Sequence, residues 1–144
     1  MYNFIKIGNR KIGKNYTPLI IVELGINHSG KIDLAKKLIL SAKNAGAEII
    51  KNQTHIAEME MSEEAKKIIP VHTKDNIFKI IDDCSLSEKQ ELDLMKYVKK
   101  EKMIFISTPF SREAANRLNK IKVPAFKIGS GECNNYPLIE HICK

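Results

Sequence analysis

The sequence predicts an α/β fold of parallel βα units, and three observations predict it. Short runs rich in β-branched and other apolar residues recur four times, over 19–24, 47–51, 103–106 and 124–128. Segments with apolar residues at helical spacing separate them. Polar side chains then gather where each apolar run ends. Apolar strands alternating with amphipathic helices are the pattern of a parallel sheet covered by helices.

Taken in order, residues 3–12 (NFIKIGNRKI) alternate apolar and polar about Gly8-Asn9, a short hairpin signal. The first strand, Leu19-Ile20-Ile21-Val22-Glu23-Leu24, carries one acid inside its apolar run, and GINHSG (25–30) reads as a loop. KIDLAKKLILSAKNAG follows, with Leu34, Leu38, Ile39, Ala42 and Ala45 at helical spacing and Gly46 as its stop. The second strand ends in Lys51 and runs into Asn52-Gln53-Thr54-His55. A polar excursion over 56–74 is expected to hold a loose helix after Met61, and 76–84 a further short helix. Ser87 and Gln90 frame a capping box that opens an amphipathic helix with Leu92, Met95 and Val98 on one face. The third strand stops at Ser107-Thr108-Pro109, Ser111 caps a helix over 112–119, and Pro137 starts a last one.

Composition narrows the class. A length of 144 residues suits one domain with a real core, and 43% hydrophobic against 28% charged residues excludes a disordered chain. No apolar run approaches the ~18 residues of a membrane span, and the first residues show no secretory leader, so no membrane partner is expected. Cys84, Cys133 and Cys143 form no metal or disulfide pattern, which points to reduced thiols in a cytoplasmic protein. The net charge of +7 comes from lysines mixed with acids along several helices, and aromatics make up only 6%. That lacks the basic and aromatic stripe of single-strand readers, so no nucleic-acid partner is expected.

The strand ends carry the chemistry. They present Glu23, then Lys51 and Gln53, then Ser107 and Thr108, then Lys127, Ser130 and Glu132. In α/β barrels and open α/β sheets that edge binds ligands. Lys51, Lys127, Thr108 and the Ser130-Gly131 turn form a cradle for a phosphate or carboxylate. Glu23 is either a general acid or base or the partner of a lysine, and both readings stand at this point. The GSGE stretch lacks the full dinucleotide fingerprint. His28, His55, His72 and His141 show no paired ligand spacing; His28 and His55 both follow strands and read as separate loop histidines rather than a shared metal site, and Met59 and Met61 read as helix packing rather than ligand contacts.

Four stretches, IIVELGINHSG, AGAEIIKNQTH, IFISTPFS and FKIGSGECNNYPLI, occur in an order and spacing that resembles the N-terminal part of the bacterial sialic acid synthases (N-acetylneuraminate synthases). The resemblance covers essentially the whole chain. It implies the N-terminal half of a TIM-type (β/α)8 barrel: a hairpin over 1–17, then βα units one to four over 18–144. The second half-barrel and a C-terminal antifreeze-like domain lie outside it. It implies condensation of phosphoenolpyruvate with open-chain N-acetylmannosamine, helped by a divalent metal, manganese or magnesium. Carried over, Glu23 is the catalytic acid or base, while Lys51, Thr108, Lys127 and Ser130 hold phosphoenolpyruvate. Gln53 and Glu132 face the sugar. The metal ligands are expected beyond residue 144, so this chain is not expected to hold the metal alone. Full-length relatives are expected to be homodimers. Synthases of legionaminic or pseudaminic acid share the donor chemistry, and a non-catalytic phosphate-binding remnant is the other alternative. The chain is expected to be a fragment or truncated product without activity as an isolated monomer.

Overall fold

The computed structural model describes residues 3–144, so the first two residues of the expected 1–17 segment lie outside it. It opens on an antiparallel hairpin, β1 (Ile5–Ile7) and β2 (Arg10–Ile12), with Ile7 paired to Arg10 around Gly8-Asn9. Gly8 takes a φ of 59°, a left-handed value that a glycine adopts without steric cost. The hairpin sits at the N-terminal end of the main sheet. The Gly8 Cβ position falls 3.7 Å from Ile104 Cδ1, and Arg10 Nε is 2.7 Å from Glu48 Oε2.

The main sheet is parallel and ordered β3 (Ile21–Gly25), β4 (Ile49–Thr54), β5 (Ile104–Pro109). Between β3 and β4 runs α1 (Ile32–Asn44), which ends where Gly46 adopts a φ of 89°. Between β4 and β5 come a single turn α2 (Ala57–Glu60), a 3-10 turn at Ala65–Lys67, α3 (Ile77–Cys84) and α4 (Glu88–Lys100). Asn76 caps α3, and the Ser87–Gln90 capping box opens α4. After β5, Ser111 caps α5 (Arg112–Lys120), a 3-10 turn forms at Ser130–Glu132, and Asn135 caps α6 (Tyr136–Ile142).

One core fills the space between the sheet and its helices. Leu24, Ile39, Ile50, Leu94, Val98, Phe105 and Leu118 are all nearly or fully buried in it. Burying a side chain of this size is worth about 1.5–3 kcal/mol. Two helices are rotated from the expectation. In α1 the buried residues are Ala35, Ile39 and Ala42, while Leu34 stays partly exposed. In α4 they are Glu91, Leu94, Met95 and Val98, with Leu92 at the margin.

The expected fourth strand is not a full strand. Residues 124–128 make one parallel bridge, Ser107 with Phe126, and the Lys127 N–H donates to the Ser107 carbonyl at 3.0 Å. Pro124 has no N–H to give the ladder, and β5 is the sole strand beside it among the described residues. In the excursion, the expected helix after Met61 is only the 3-10 turn, preceded by α2. Met59 is 56% exposed, so packing does not account for it.

Candidate active site

The second strand runs further than the sequence suggested, through Thr54, and the third ends as expected at Pro109. Their polar ends are therefore strand residues, and alternation sorts them onto two faces. Lys51 pairs in register with Ile106 and Gln53 with Thr108, while Asn52 pairs with Ser107. Glu23 of β3 pairs with Lys51. One face thus carries Glu23, Lys51, Gln53 and Thr108. The other, which faces the helices, carries Asn52, Thr54 and Ser107.

On the first face the groups meet. Lys51 Nζ lies 2.6 Å from Glu23 Oε2 and 3.4 Å from Thr108 Oγ1. Gln53 Oε1 comes within 3.6 Å of the Cβ position at Gly25. Phe126 packs with the helix-side core, so by alternation Lys127 falls on the face of Lys51 and Thr108. The following loop returns against the same strand end, with the Gly129 Cβ position 3.4 Å from Thr108 Cγ2 and 3.6 Å from Glu132 Cγ. Ser130 is exposed in the 3-10 turn, and Asn135 Nδ2 holds Glu132 Oε2 at 2.6 Å. Lys51 thus contacts both Glu23 and Thr108, Gln53 adjoins Gly25, and the 129–132 loop closes one side. Lys127 and Ser130 make no side-chain hydrogen bond within the chain among the described residues.

The helix-side face holds groups that strand-end reasoning did not separate. Glu91 of α4 is 1% exposed, and its Oε1 accepts from Asn52 Nδ2 at 3.2 Å and from the Thr54 hydroxyl. Thr54 in turn shares a 2.7 Å hydrogen bond with Ser107, and Arg117 Nη1 stands 3.8 Å from Glu91 Oε2. Burial pushes the Glu91 carboxyl above its ordinary range, against the lowering effect of Thr54, Arg117 and Asn52. The signal was present in the sequence. Glu91 shares the 91, 94, 95, 98 helical stripe with Leu94, Met95 and Val98, an acid where a core residue belongs. This network ties α4 to the strand ends that carry Lys51 and Thr108.

His28 and His55 are loop residues as expected, but both are buried. His55 is buried, with Nδ1 2.8 Å from Glu60 Oε1 and its ring stacked on Phe110 at a centroid distance of 4.3 Å. His28 is 1% exposed and its Nδ1 accepts from the Gly30 N–H at 3.1 Å. Burial holds its imidazole below the ordinary 6.5; the Asn52 side chain and the Gly25 backbone work the other way, and nearby His55 adds a smaller lowering influence. Among the described residues no three His, Cys, Asp or Glu side chains converge on a point that could hold a metal ion. No described helix is long and apolar enough to cross a membrane.

Comparison with known proteins follows from this geometry. The chain is 39% identical over 140 residues to the uncharacterized protein MJ1065 of Methanocaldococcus jannaschii, covering 97% of this chain and 39% of that one. It is 37% identical over 131 residues to the N,N'-diacetyllegionaminic acid synthase of Campylobacter jejuni, covering 88% and 39%. The crystal structure of the N-acetylneuraminic acid (sialic acid) synthetase of Leptospira borgpetersenii, in complex with citrate, superposes with a TM-score of 0.83 at 31% identity. That match covers 96% of this chain and 45% of the synthetase. The strands, helices and hairpin described above are thus the N-terminal part of such a barrel, and the chain spans about two fifths (39%) of the curated relatives it matches. With residues 38–144 matching the family directly, the chain belongs to the NeuB family.

Proposed function

We propose that this chain supplies the donor half of a phosphoenolpyruvate-dependent sugar-acid synthase. The observation that carries the reading is the buried Lys51 ammonium, held between Glu23 and Thr108 at the C-terminal edge of the sheet. A cation fixed by strand backbone on both sides is preorganised for an anion and needs little ordering on binding. Lys127 and Ser130 flank it and lack intrachain side-chain partners, so their donors are available to the phosphate and carboxylate of phosphoenolpyruvate.

In the reaction, carbon 3 of phosphoenolpyruvate attacks the aldehyde carbon of the acceptor, and water adds at carbon 2. The bond from carbon 2 to the bridging ester oxygen then breaks, so that oxygen leaves with inorganic phosphate, carbon 2 is left as a ketone, and the former aldehyde oxygen takes up a proton to become a hydroxyl. Lys51 and Lys127 offset the charge of the phosphate and carboxylate. Glu23 has its second carboxylate oxygen unengaged and 60% of its side chain exposed, so it can take the proton of the incoming water. Thr108 fixes Lys51, while Gln53 and Glu132 face the acceptor. A divalent metal, manganese or magnesium, would polarise the aldehyde, and no step above is assigned to it because the described residues do not gather its ligands. We place the hairpin at 1–17 and the βα units at 18–144 in such an enzyme, with an N-acylated amino sugar as acceptor and a cytoplasmic homodimer as the assembly.

Calorimetric titration of the chain with phosphoenolpyruvate tests the reading. Saturable binding that is lost in Lys51→Met and weakened in Lys127→Met supports it. Absence of binding, or binding untouched by both substitutions, overturns it.

A further inference from the structure

On the helix side of the strand ends, behind the donor cradle, Glu91 occupies a position that packing alone would give to an apolar residue. It continues the stripe of Leu94, Met95 and Val98, and its Oε2 is buried without a hydrogen-bond partner among the described residues. Burying an acid in this way costs stability that an apolar side chain would not. What the acid provides is a grip on the sheet. The Ser87–Gln90 capping box fixes the turn that carries it, and the Glu91 N–H donates to the Ser87 carbonyl at 2.9 Å. From that anchored turn, Oε1 accepts from both Asn52 and Thr54.

These contacts reach every cation of the cradle. Asn52 follows Lys51 directly, so its tether fixes the backbone from which the Lys51 side chain springs. Thr54 passes the hold to the Ser107 hydroxyl at 2.7 Å, and Ser107 precedes Thr108. Lys127 hangs from the same residue, its N–H donating to the Ser107 carbonyl at 3.0 Å. The register pairs Asn52 with Ser107 and Gln53 with Thr108, so one carboxylate oxygen pins the end of β4 and, through Thr54, the end of β5. On the opposite face the Lys51–Thr108 contact is already long, at 3.4 Å. A small slip or twist between the two strand ends would break it.

Resting on the synthase reading, we infer that Glu91 is a positioning residue for the donor, setting the spacing of Lys51, Thr108 and Lys127 from behind the sheet without touching the ligand. The acceptor oxygen does this, since Asn52 and Thr54 both donate to Oε1. An amide oxygen at the same place can serve both donors, whereas an apolar side chain serves neither.

Calorimetric titration with phosphoenolpyruvate, beside the nuclear magnetic resonance spectrum of each variant, tests the proposal. Glu91→Met keeps the volume, leaves both donors without an acceptor, and is expected to bind about tenfold more weakly than wild type. Its amides at Lys51, Gln53 and Thr108 should shift. Glu91→Gln is expected to recover most of the lost affinity. Val98→Ala, in the same buried stripe, opens a cavity without touching the network. It should lose stability yet bind as wild type does, which separates positioning from stability at large. Should Glu91→Met lose its folded spectrum, Thr54→Val removes one donor and the link to Ser107 in a shape that suits a strand. Its expected loss is about three- to tenfold, the worth of one hydrogen bond. Wild-type affinity in the folded variant overturns the proposal. So does a loss in Val98→Ala or Glu91→Gln as large as that in Glu91→Met. Binding that is lost in Lys51→Met and untouched in Glu91→Met removes the proposal and leaves the synthase reading standing. If wild type itself does not bind phosphoenolpyruvate, the synthase reading falls and the proposal with it.

Discussion

Lys51 and Glu23 form an ion pair at 2.6 Å in which the two partners live in different surroundings. The lysine side chain is 6% exposed and the carboxylate side chain 60% exposed. The sheet therefore holds the cation in place while the acid stays exposed to solvent. Of the two sequence readings of Glu23, the geometry shows the lysine's partner.

This asymmetry sets the first prediction. Lys51→Met keeps the stem that packs beneath the sheet edge and removes the charge. It is expected to weaken phosphoenolpyruvate binding by about 10- to 100-fold, the worth of one charge-assisted hydrogen bond of ~1.5–3 kcal/mol. Glu23→Gln removes a like charge from beside the anion and is expected to leave binding unchanged or tighter. Calorimetry on the two variants decides it, and equal losses in both would assign Glu23 to donor binding instead.

Glu91 yields a stability prediction. Truncation in Glu91→Ala leaves Asn52 Nδ2, the Thr54 hydroxyl and Arg117 facing an apolar core, and is expected to cost about 3–5 kcal/mol. Glu91→Gln keeps an acceptor for Thr54 and should cost less. The pH dependence follows from the raised carboxyl. Its proton is held more tightly in the folded chain, so its contribution is fully present below the ordinary 4.5 and is lost as pH rises through the folded value. Urea melts from acidic to neutral pH should show wild type losing ground against Glu91→Gln as pH rises. A difference that does not vary with pH would contradict the assignment.

Much of the fold was legible because local signals agreed with one another. The capping box at Ser87, the cap at Ser111, Pro137 at the start of α6, and the apolar runs of β3 to β5 each pointed to the element that forms. The proximity of Lys51 to Thr108 was legible for a simpler reason, since both are polar residues at the ends of neighbouring strands. Less could be read where tertiary pairing decides. Strand length depends on neighbours, so Gln53 looked like a residue past its strand although β4 extends to include it. Residues 124–128 have strand-like composition, yet a strand needs partners and this segment makes one bridge. The buried Glu91 and the His55–Glu60 pair escaped notice because a polar group in a core is visible only once its partners are known.

Backbone geometry gives a further test at Gly30. Its φ is 69°, and a Cβ there would overlap the carbonyl oxygen of Asp83 near the end of α3. Both the left-handed conformation and the close approach penalise a side chain. Gly30→Ala is expected to destabilise the fold by more than about 1 kcal/mol, and to loosen the loop whose N–H holds His28 Nδ1. Gly131 has nothing within 4 Å of its Cβ position and no left-handed φ, so Gly131→Ala serves as the matched control. Thermal melts that place the two variants together would remove the case for a tight contact at Gly30.

His28 makes the opposite pH prediction to Glu91. Its imidazole is buried beside β4, and burial lowers its proton affinity below the ordinary 6.5. The unfolded chain therefore binds the proton more readily than the folded one between the two values. The stabilising contribution is present above 6.5 and is lost as pH falls through the folded value. Wild type should lose stability between neutral and mildly acidic pH, and His28→Gln, which cannot take up a proton there, should lose less. The comparison requires the difference between the two proteins, since the buried Glu91 brings a pH dependence of its own. Urea midpoints measured in small pH steps, with the imidazole followed by nuclear magnetic resonance, locate the transition. A His28 resonance that titrates at or above 6.5 in the folded chain would show that Asn52 and the Gly25 backbone outweigh burial, and would reverse the sign.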